Sequence, residues 1–596
     1  MKQTNLIEFA RQRPLFLVLL GTITIALVKA FIDGSKLENN FVTMGNDDIM
    51  RLLTVRDWLA GQGWYDVRQY QMLPPEGLPL HWSRYIDVGI AAFIVPLSYV
   101  MPMATAEQVA AAIWPTLILL LTILAIGFGT RRVFETLPSC FAVLCVAFWP
   151  LTADLHMAAG NLDHHNVQLL MMIIVAFALI WPSRPIAAGV AGGVAAAFSL
   201  AIGLEGLPFI VGAGLAFFMR ALFVATPMSR QLLVVFCITL GIASALLMMG
   251  QTAPSLWAQP VCDQLGTPTL ALIAVAGTAC IVPMAAHRFL PSTAWQLGAT
   301  IGLTVIGVGL AWPLLSGCLD GPYGDLPLEV QNIISERIVE AKPGLVYLQA
   351  HTESAFIFGL PVVVALLMGS GLWLSALRSG RPMAHRDQAV GLLLILGLVG
   401  FAMMFVQMRT VIMAAPVVPI IGGVVVAKFV KGYLQRRDLA QGLAAIAIAV
   451  MISSPAVVTS PFISLMTKDQ THVGTTAANC RDYASLKALN DVPPAVVLTT
   501  VSFGPALIWA THHKGLSGPY HRSAAAFSNG IVPFMLESAE MAEYVRNTGA
   551  THLLLCRGNS YDSDFATDMA NGGSADWLRP VTVNDDAQLL FEVLPR

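Results

Sequence analysis

The chain has 596 residues, of which 56% are hydrophobic and 12% charged, with a mean hydropathy of +0.68 and a formal net charge of −2. A soluble chain is about one-quarter charged, so this balance excludes a soluble globular protein and indicates a polytopic membrane protein. The near-neutral charge gives no sign of a nucleic-acid partner.

In chain order, a polar start (Met1 to Arg13) precedes an apolar run at 14–33 with no small-residue cleavage site, which reads as a retained first span. Further runs long enough to cross a bilayer lie near 109–130, 138–155, 166–182, 186–204, 206–222, 232–250, 268–286, 296–315, 355–377, 388–406, 410–428 and 440–460. The sum is about thirteen transmembrane helices. The loops holding Arg131/Arg132, Arg184, Arg230, Arg288, Arg378/Arg381/Arg386 and Lys428/Lys431/Arg436/Arg437 then share the side of the N-terminus. Basic short loops mark the cytoplasm, so the expected topology is N-terminus inside and C-terminus outside. A run at 86–103 breaks this parity if it crosses, and is therefore expected to lie along or dip into the interface.

The expected organisation is a membrane domain over 1–466 and a soluble external domain over 467–596. The membrane domain carries a long first external loop at 34–108 and a second at 316–354. The tail alternates strand-like runs (495–501, 551–556, 589–593) with helical stretches such as Glu537 to Asn547, the pattern of a small α/β domain. Of eight cysteines, Cys140, Cys145, Cys237 and Cys280 fall within spans and are expected to pack there. Cys262, Cys318, Cys480 and Cys556 are external, and their proximity along the chain suggests the disulfides Cys262–Cys318 and Cys480–Cys556. Zinc binding is the rival reading, with no close Cys/His spacing behind it.

Two polar motifs stand where an apolar span meets water on the same external side: Gly45-Asn46-Asp47-Asp48 and Asn161-Leu162-Asp163-His164-His165-Asn166. A helix cap accounts for Asp48, since Ile49 to Leu59 looks helical, but not for a second adjacent carboxylate at Asp47. Similarly, Asn161 or Asp163 caps the helix beginning near Asn166, yet four consecutive polar groups exceed what capping requires. Asp163 and His165 offer a carboxylate and an imidazole, usual ligands of a divalent metal. His351-Thr352-Glu353 ends the second loop, where Glu353 is a cap or a functional acid. Arg409, in Gln407-Met408-Arg409-Thr410, is a snorkelling anchor or a phosphate contact, because a guanidinium binds phosphate oxygens bidentately. Glu205 is a weaker candidate that marks a helix end. Arg51, Arg56, Gly63-Trp64-Tyr65-Asp66 and His81-Trp82-Ser83-Arg84 mix cations with aromatics, as an interfacial loop or a sugar- or phosphate-bearing site does. The tail adds the turn Gly518-Pro519-Tyr520-His521-Arg522.

In order and sidedness these motifs resemble the GT-C superfamily of glycosyltransferases that use lipid-linked sugars, most closely the oligosaccharyltransferase catalytic-subunit branch. The resemblance implies that Asp47 binds metal and engages the acceptor, and that Asp163-His164-His165 occupies the second acidic motif, with His165 in place of a carboxylate. It likens Thr352-Glu353 to the external-loop Glu motif, and Arg409 to the arginine that contacts the donor phosphate. The Trp-Trp-Asp-type motif that reads asparagine sequons is absent; Val501-Ser502-Phe503-Gly504-Pro505 stands in the comparable place.

The expectation is a divalent-metal-dependent (Mg or Mn) glycosyltransferase of the bacterial inner membrane. It moves a sugar from a polyprenyl-phosphate or -pyrophosphate carrier to a periplasmic glycan, lipid or protein. Asp47 and Glu353 are the expected catalytic groups, Asp47, Asp163 and His165 the metal ligands, and Arg409 the donor contact. Asp48, His164, Asn166, Arg51, His81 and Arg84 are accessory candidates. A transporter or flippase of a lipid-linked or small polar substrate is the alternative. Against it, transporters place polar sites near the bilayer midplane in repeated halves, and no repeat is evident here.

Overall fold

A computed structural model describes residues 13–37, 45–290, 292–319, 321–324, 326–338, 342–466 and 479–595. The polar start before residue 13, part of the first loop (38–44) and the head of the tail (467–478) lie outside the described residues. Among the described residues, ten helices are long and apolar enough to cross a membrane. The shorter apolar helices Thr136–Phe148, His165–Ile180 and Leu439–Ser453 fill the other expected positions. Several helices begin with proline at the first turn, where its missing N–H costs nothing: Pro14–Gly34, Pro185–Ile202 and Pro227–Gln251.

Three expected spans are broken, each at a proline. The run 138–155 ends as a helix at Phe148, before Trp149-Pro150, and continues as a π-helical turn over Leu151–His156. The run 410–428 opens with a 3₁₀ turn, Met408–Ala414, and restarts past Pro416 as the helix Val418–Arg436. The run 440–460 divides at Ser454-Pro455 into Leu439–Ser453 and Ala456–Met466. The ambiguous run at 86–103 forms the 15-residue helix Arg84–Ser98. It packs beside the 32-residue helix Met103–Phe134.

The first long loop is a packed structure. Its helix Asn46–Leu59 buries Ile49, Met50, Leu52, Leu53 and Val55. Arg56 fixes it to the long helix through a two-pronged pair with Glu107, Nε to Oε1 at 2.8 Å and Nη2 to Oε2 at 2.6 Å. A two-stranded ladder follows, β1 (Arg68–Gln69) antiparallel to β2 (Leu78–Pro79).

The tail is an α/β unit around a five-stranded sheet. Its strands are β3 (Val496–Leu498), β4 (Lys514–Gly515), β5 (His552–Cys556), β6 (Leu578–Val581) and β7 (Gln588–Val593), in the order β4-β3-β5-β7-β6. β3 runs parallel to β4 and β5, while β7 is antiparallel to β5 and β6. Strands β4 and β6 were not expected from sequence. One has two residues, and the other carries Pro580, which confines it to the sheet edge. The helix Ser538–Asn547 lies where expected.

The tail and the first loop share one core. Ile49, Met50, Leu53, Met72, Leu78 and Trp82 pack with Phe503, Leu507 and Tyr520. Backbone bonds reinforce the contact, from Gly515 N to Gln71 O at 2.9 Å and from Leu73 N to Gly515 O at 2.8 Å. The boundary at 467 therefore separates segments of chain but not separately packed bodies.

Four cysteines pair as Cys262–Cys318 and Cys480–Cys556, and Cys140, Cys145, Cys237 and Cys280 are free thiols. The second disulfide closes a separation of 76 residues in the tail. Its loss in a Cys480→Ser/Cys556→Ser double variant is expected to cost roughly 2–4 kcal/mol. Limited proteolysis of the tail across a urea series checks this: the midpoint falls in the variant, and an unchanged midpoint refutes it.

Candidate functional site

The two polar motifs meet through Asp48. Gly45 caps the helix Asn46–Leu59, so Asp48 occupies its third position. There its carboxylate takes the Gly45 N–H, as the third residue of a capping box does. The capping role expected of Asp48 is only part of its work. Oδ1 also accepts from the backbone N–H groups of Leu162 at 2.7 Å and Asp163 at 2.9 Å. Burial, together with the nearby charge of Asp163, pushes the Asp48 carboxyl up to about 7 despite these donors. Asp47, one residue earlier, is exposed. Both aspartates and Asp163 face Tyr520 of the tail. Burial and these three carboxylates hold its phenol well above the ordinary tyrosine range. Its hydroxyl donates to Asn46 O at 3.1 Å.

The second motif forms a tight polar knot before the helix His165–Ile180. Asp163 Oδ1 accepts from the His164 backbone N–H at 2.7 Å and lies 2.7 Å from His164 Nδ1. Its Oδ2 lies 3.3 Å from His165 Nε2. His164 Nε2 is 3.3 Å from Glu205 Oε2, so both ring nitrogens face carboxylates. Burial opposes charge on His164, but Asp163 and Glu205 outweigh it and carry the imidazole up to about 10. Burial likewise works against ionised Asp163, yet His164 and His165 hold it well below the usual carboxylate range. Asn166 acts locally, accepting from Val167 N and donating to Asn161 O at 3.0 Å.

Donor atoms of Asp163, His164 and His165 lie within 4.8 Å of one another. Among the described residues, His165 Nδ1 is buried with no hydrogen-bond partner. The Asp163 carboxylate beside the His165 imidazole, with its unpartnered ring nitrogen, suits a divalent transition metal. The imidazole leans the set toward Mn or Zn over Mg.

Other sequence candidates are placed differently. Arg51 and Arg84 do not line an accessible surface: their side chains are 0% and 1% exposed and both pair with Asp87. Arg51 Nη1 reaches Asp87 Oδ1 at 3.0 Å and Arg84 Nη1 reaches Oδ2 at 2.9 Å. The sequence signal for this was Asp87 one turn after Arg84. Exposed Glu353 accepts from Ser460 Oγ at 2.5 Å, toward the last membrane helix. Neither Glu353 nor Asp47 belongs to a described group with metal-ligand spacing.

Arg409 stands in the 3₁₀ turn, with Nε donating to Gln407 Oε1 at 3.1 Å and Nη2 to Tyr323 Oη at 3.4 Å. The Tyr323 ring meets the His521 ring edge-on at 5.5 Å, and His521 lies 4.6 Å from the His81 ring. Burial and the neighbouring His521 push the His81 imidazole down to about 3. His81, Asp263 and His521 also have metal-ligand spacing. However, Arg522 occupies both Asp263 oxygens, from Nε and Nη2 at 2.7 Å each. A dication there would sit against a guanidinium, which disfavours metal. Asp263 and Tyr323 were not singled out from sequence. Their signal was position, directly after Cys262 and shortly after Cys318.

No family model matches the chain, and no curated protein matches it in sequence. Solved structures do match in fold. The archaeal oligosaccharyltransferase AglB from Archaeoglobus fulgidus, in complex with an inhibitory peptide and a dolichol-phosphate, aligns with a TM-score of 0.63 at 15% identity, over 92% of this chain and 70% of that one. The same organism's oligosaccharyltransferase in complex with Zn and sulfate aligns at 0.62 and 15% identity, over 90% and 68%. Its form tethered to an acceptor peptide containing the NVT sequon aligns at 0.64 and 15% identity, over 92% and 70%. At this identity the likeness is one of fold alone.

Proposed function

We propose that this chain, built on the oligosaccharyltransferase fold, is a membrane glycosyltransferase that moves a sugar from a polyprenyl-phosphate or -pyrophosphate carrier to an acceptor outside the cytoplasm. The carrying observation is the pair of hydrogen bonds from Leu162 and Asp163 to Asp48, which ties the two polar motifs into one site. The fold neighbours, crystallised with dolichol-phosphate, Zn and sulfate, or acceptor peptide, support the same chemistry. The charge pattern of the loops favours an orientation with this face outside the cytoplasm, which in a bacterial inner membrane is the periplasm.

The sugar's anomeric carbon leaves the carrier phosphate oxygen and bonds to an acceptor heteroatom. The electron pair of the broken bond goes to the phosphate, and the acceptor proton goes to a base. Asp47, exposed beside the Asp48 junction, is the group to orient the acceptor and take that proton. Arg409 donates to the phosphate oxygens as negative charge develops there. Asp163 and His165 would hold the divalent ion, which would supply positive charge beside the leaving group. Glu353 faces Ser460 and has no assigned part.

Purified protein in detergent, supplied with a polyprenyl-linked sugar and a periplasmic extract as acceptor, tests this reading by mass spectrometry of the freed carrier. Turnover is expected without a second compartment, and Arg409→Ala is expected to raise the donor KM about 10- to 100-fold. Removing divalent ions with EDTA is expected to stop turnover, and Mn to restore it. Movement of the intact lipid across vesicles, with no sugar transfer in detergent, sinks the assignment.

A further inference from the structure

We propose that the C-terminal domain sets the donor-phosphate contact: the turn bearing His521 and Arg522 clasps a disulfide-braced cradle whose Tyr323 positions Arg409. This rests on the reading of Arg409 as the phosphate contact. Arg522 spans three segments. It forks onto Asp263 at 2.7 Å twice, reaches Gln264 Oε1 at 3.1 Å, and donates to Leu80 O of the first loop at 3.0 Å. His521 Nε2 adds a contact to Asp263 Oδ2 at 3.0 Å.

Asp263 follows Cys262, whose bridge to Cys318 joins its loop to the loop carrying Tyr323. The ring of Tyr323 then returns to His521 at 5.5 Å. A closed circuit results, from tail to Asp263, through the disulfide to Tyr323, and back to the tail. Arg409 attaches to it through the Tyr323 hydroxyl. A long arginine loses rotamer freedom on holding one geometry. A circuit closed by a covalent bridge and a forked ion pair holds the acceptor of its hydrogen bond fixed before the ligand arrives. The ion pair is largely buried, with side chains 23% and 11% exposed, so screening by salt is weak. Tyr323, Asp263, His521 and Arg522 are thus positioning residues.

The test measures binding of farnesyl phosphate, with farnesol as the uncharged control, to the full chain in detergent. Variants are Tyr323→Phe, Arg522→Lys, Cys262→Ser/Cys318→Ser, and Arg409→Ala as reference. Each of the first three is expected to weaken farnesyl phosphate about 5- to 10-fold. Farnesol binding and, for Tyr323→Phe, the melting temperature stay unchanged. Because all act through one circuit, Tyr323→Phe combined with the double serine variant is expected to lose no more than the larger single effect. Multiplying losses, or Tyr323→Phe with wild-type binding while Arg409→Ala loses it, overturns the inference alone. If Arg409→Ala leaves phosphate binding intact, the phosphate reading and the inference fall together. Metal bound at Asp263 and lost in Asp263→Asn also overturns it.

Discussion

Asp163→Ala is expected to lower sugar transfer by about three orders of magnitude while the protein still folds and inserts. The carboxylate is the hub of its motif, with one oxygen on His164 and the other 3.3 Å from His165. It is also the one carboxylate in the described group with metal-ligand spacing at this motif. Its removal deletes a ligand and leaves His164 oriented by Glu205 alone. Asp48 binds the backbone N–H of residue 163, which alanine keeps, so the junction between the motifs survives. Detergent assays of carrier release, beside Mn binding and a melting curve, separate chemistry from folding. Wild-type turnover in the variant would falsify the site. Asp48→Ala differs in kind: it strands the Leu162 and Asp163 N–H groups, so both stability and activity fall.

Asp87→Ala is expected to destabilise the external assembly by about 3–5 kcal/mol. The carboxylate bridges Arg51 and Arg84, whose side chains are wholly buried. Without it two guanidinium charges remain out of water, with neutral direct partners such as Ser83 O, Thr54 O and the face of Trp82. Breaking one member of a buried network costs more than the network's net contribution, because the remaining charge is uncompensated. Arg51 lies on the helix that carries Asp47 and Asp48, so transfer falls along with stability. Chemical denaturation of the wild type, Asp87→Ala and Asp87→Asn checks this. The asparagine keeps the shape, so an equal loss in both assigns the effect to charge. A denaturation midpoint equal to wild type in Asp87→Ala contradicts it.

The membrane architecture was legible because bilayer thickness imposes a length on apolar runs and basic residues mark their ends. That signal is local, and it placed most spans to within several residues, although the run expected at 410–428 becomes helical only at Val418. It missed the breaks at Pro150, Pro416 and Pro455, where an apolar run continues through a helix that cannot. The tail's longer strands were legible from their apolar runs. Strand β4 was not, because two residues carry no periodicity.

The candidate site divides in the same way. Sequence alone pointed to Asp47, Asp48, Asp163, His164 and His165 as polar groups at the ends of apolar spans, since charge is excluded from hydrocarbon. It also suggested both disulfides. Only the tertiary structure decided which of these groups meet. Asp48 joins the two motifs, Arg51 and Arg84 turn inward to Asp87, and Glu353 meets Ser460. The tail supplies Tyr520, His521 and Arg522 across more than 400 residues of chain, as the Tyr520–Asn46 bond illustrates. Such contacts depend on how separate elements pack, and packing over that distance leaves no periodic trace in the sequence.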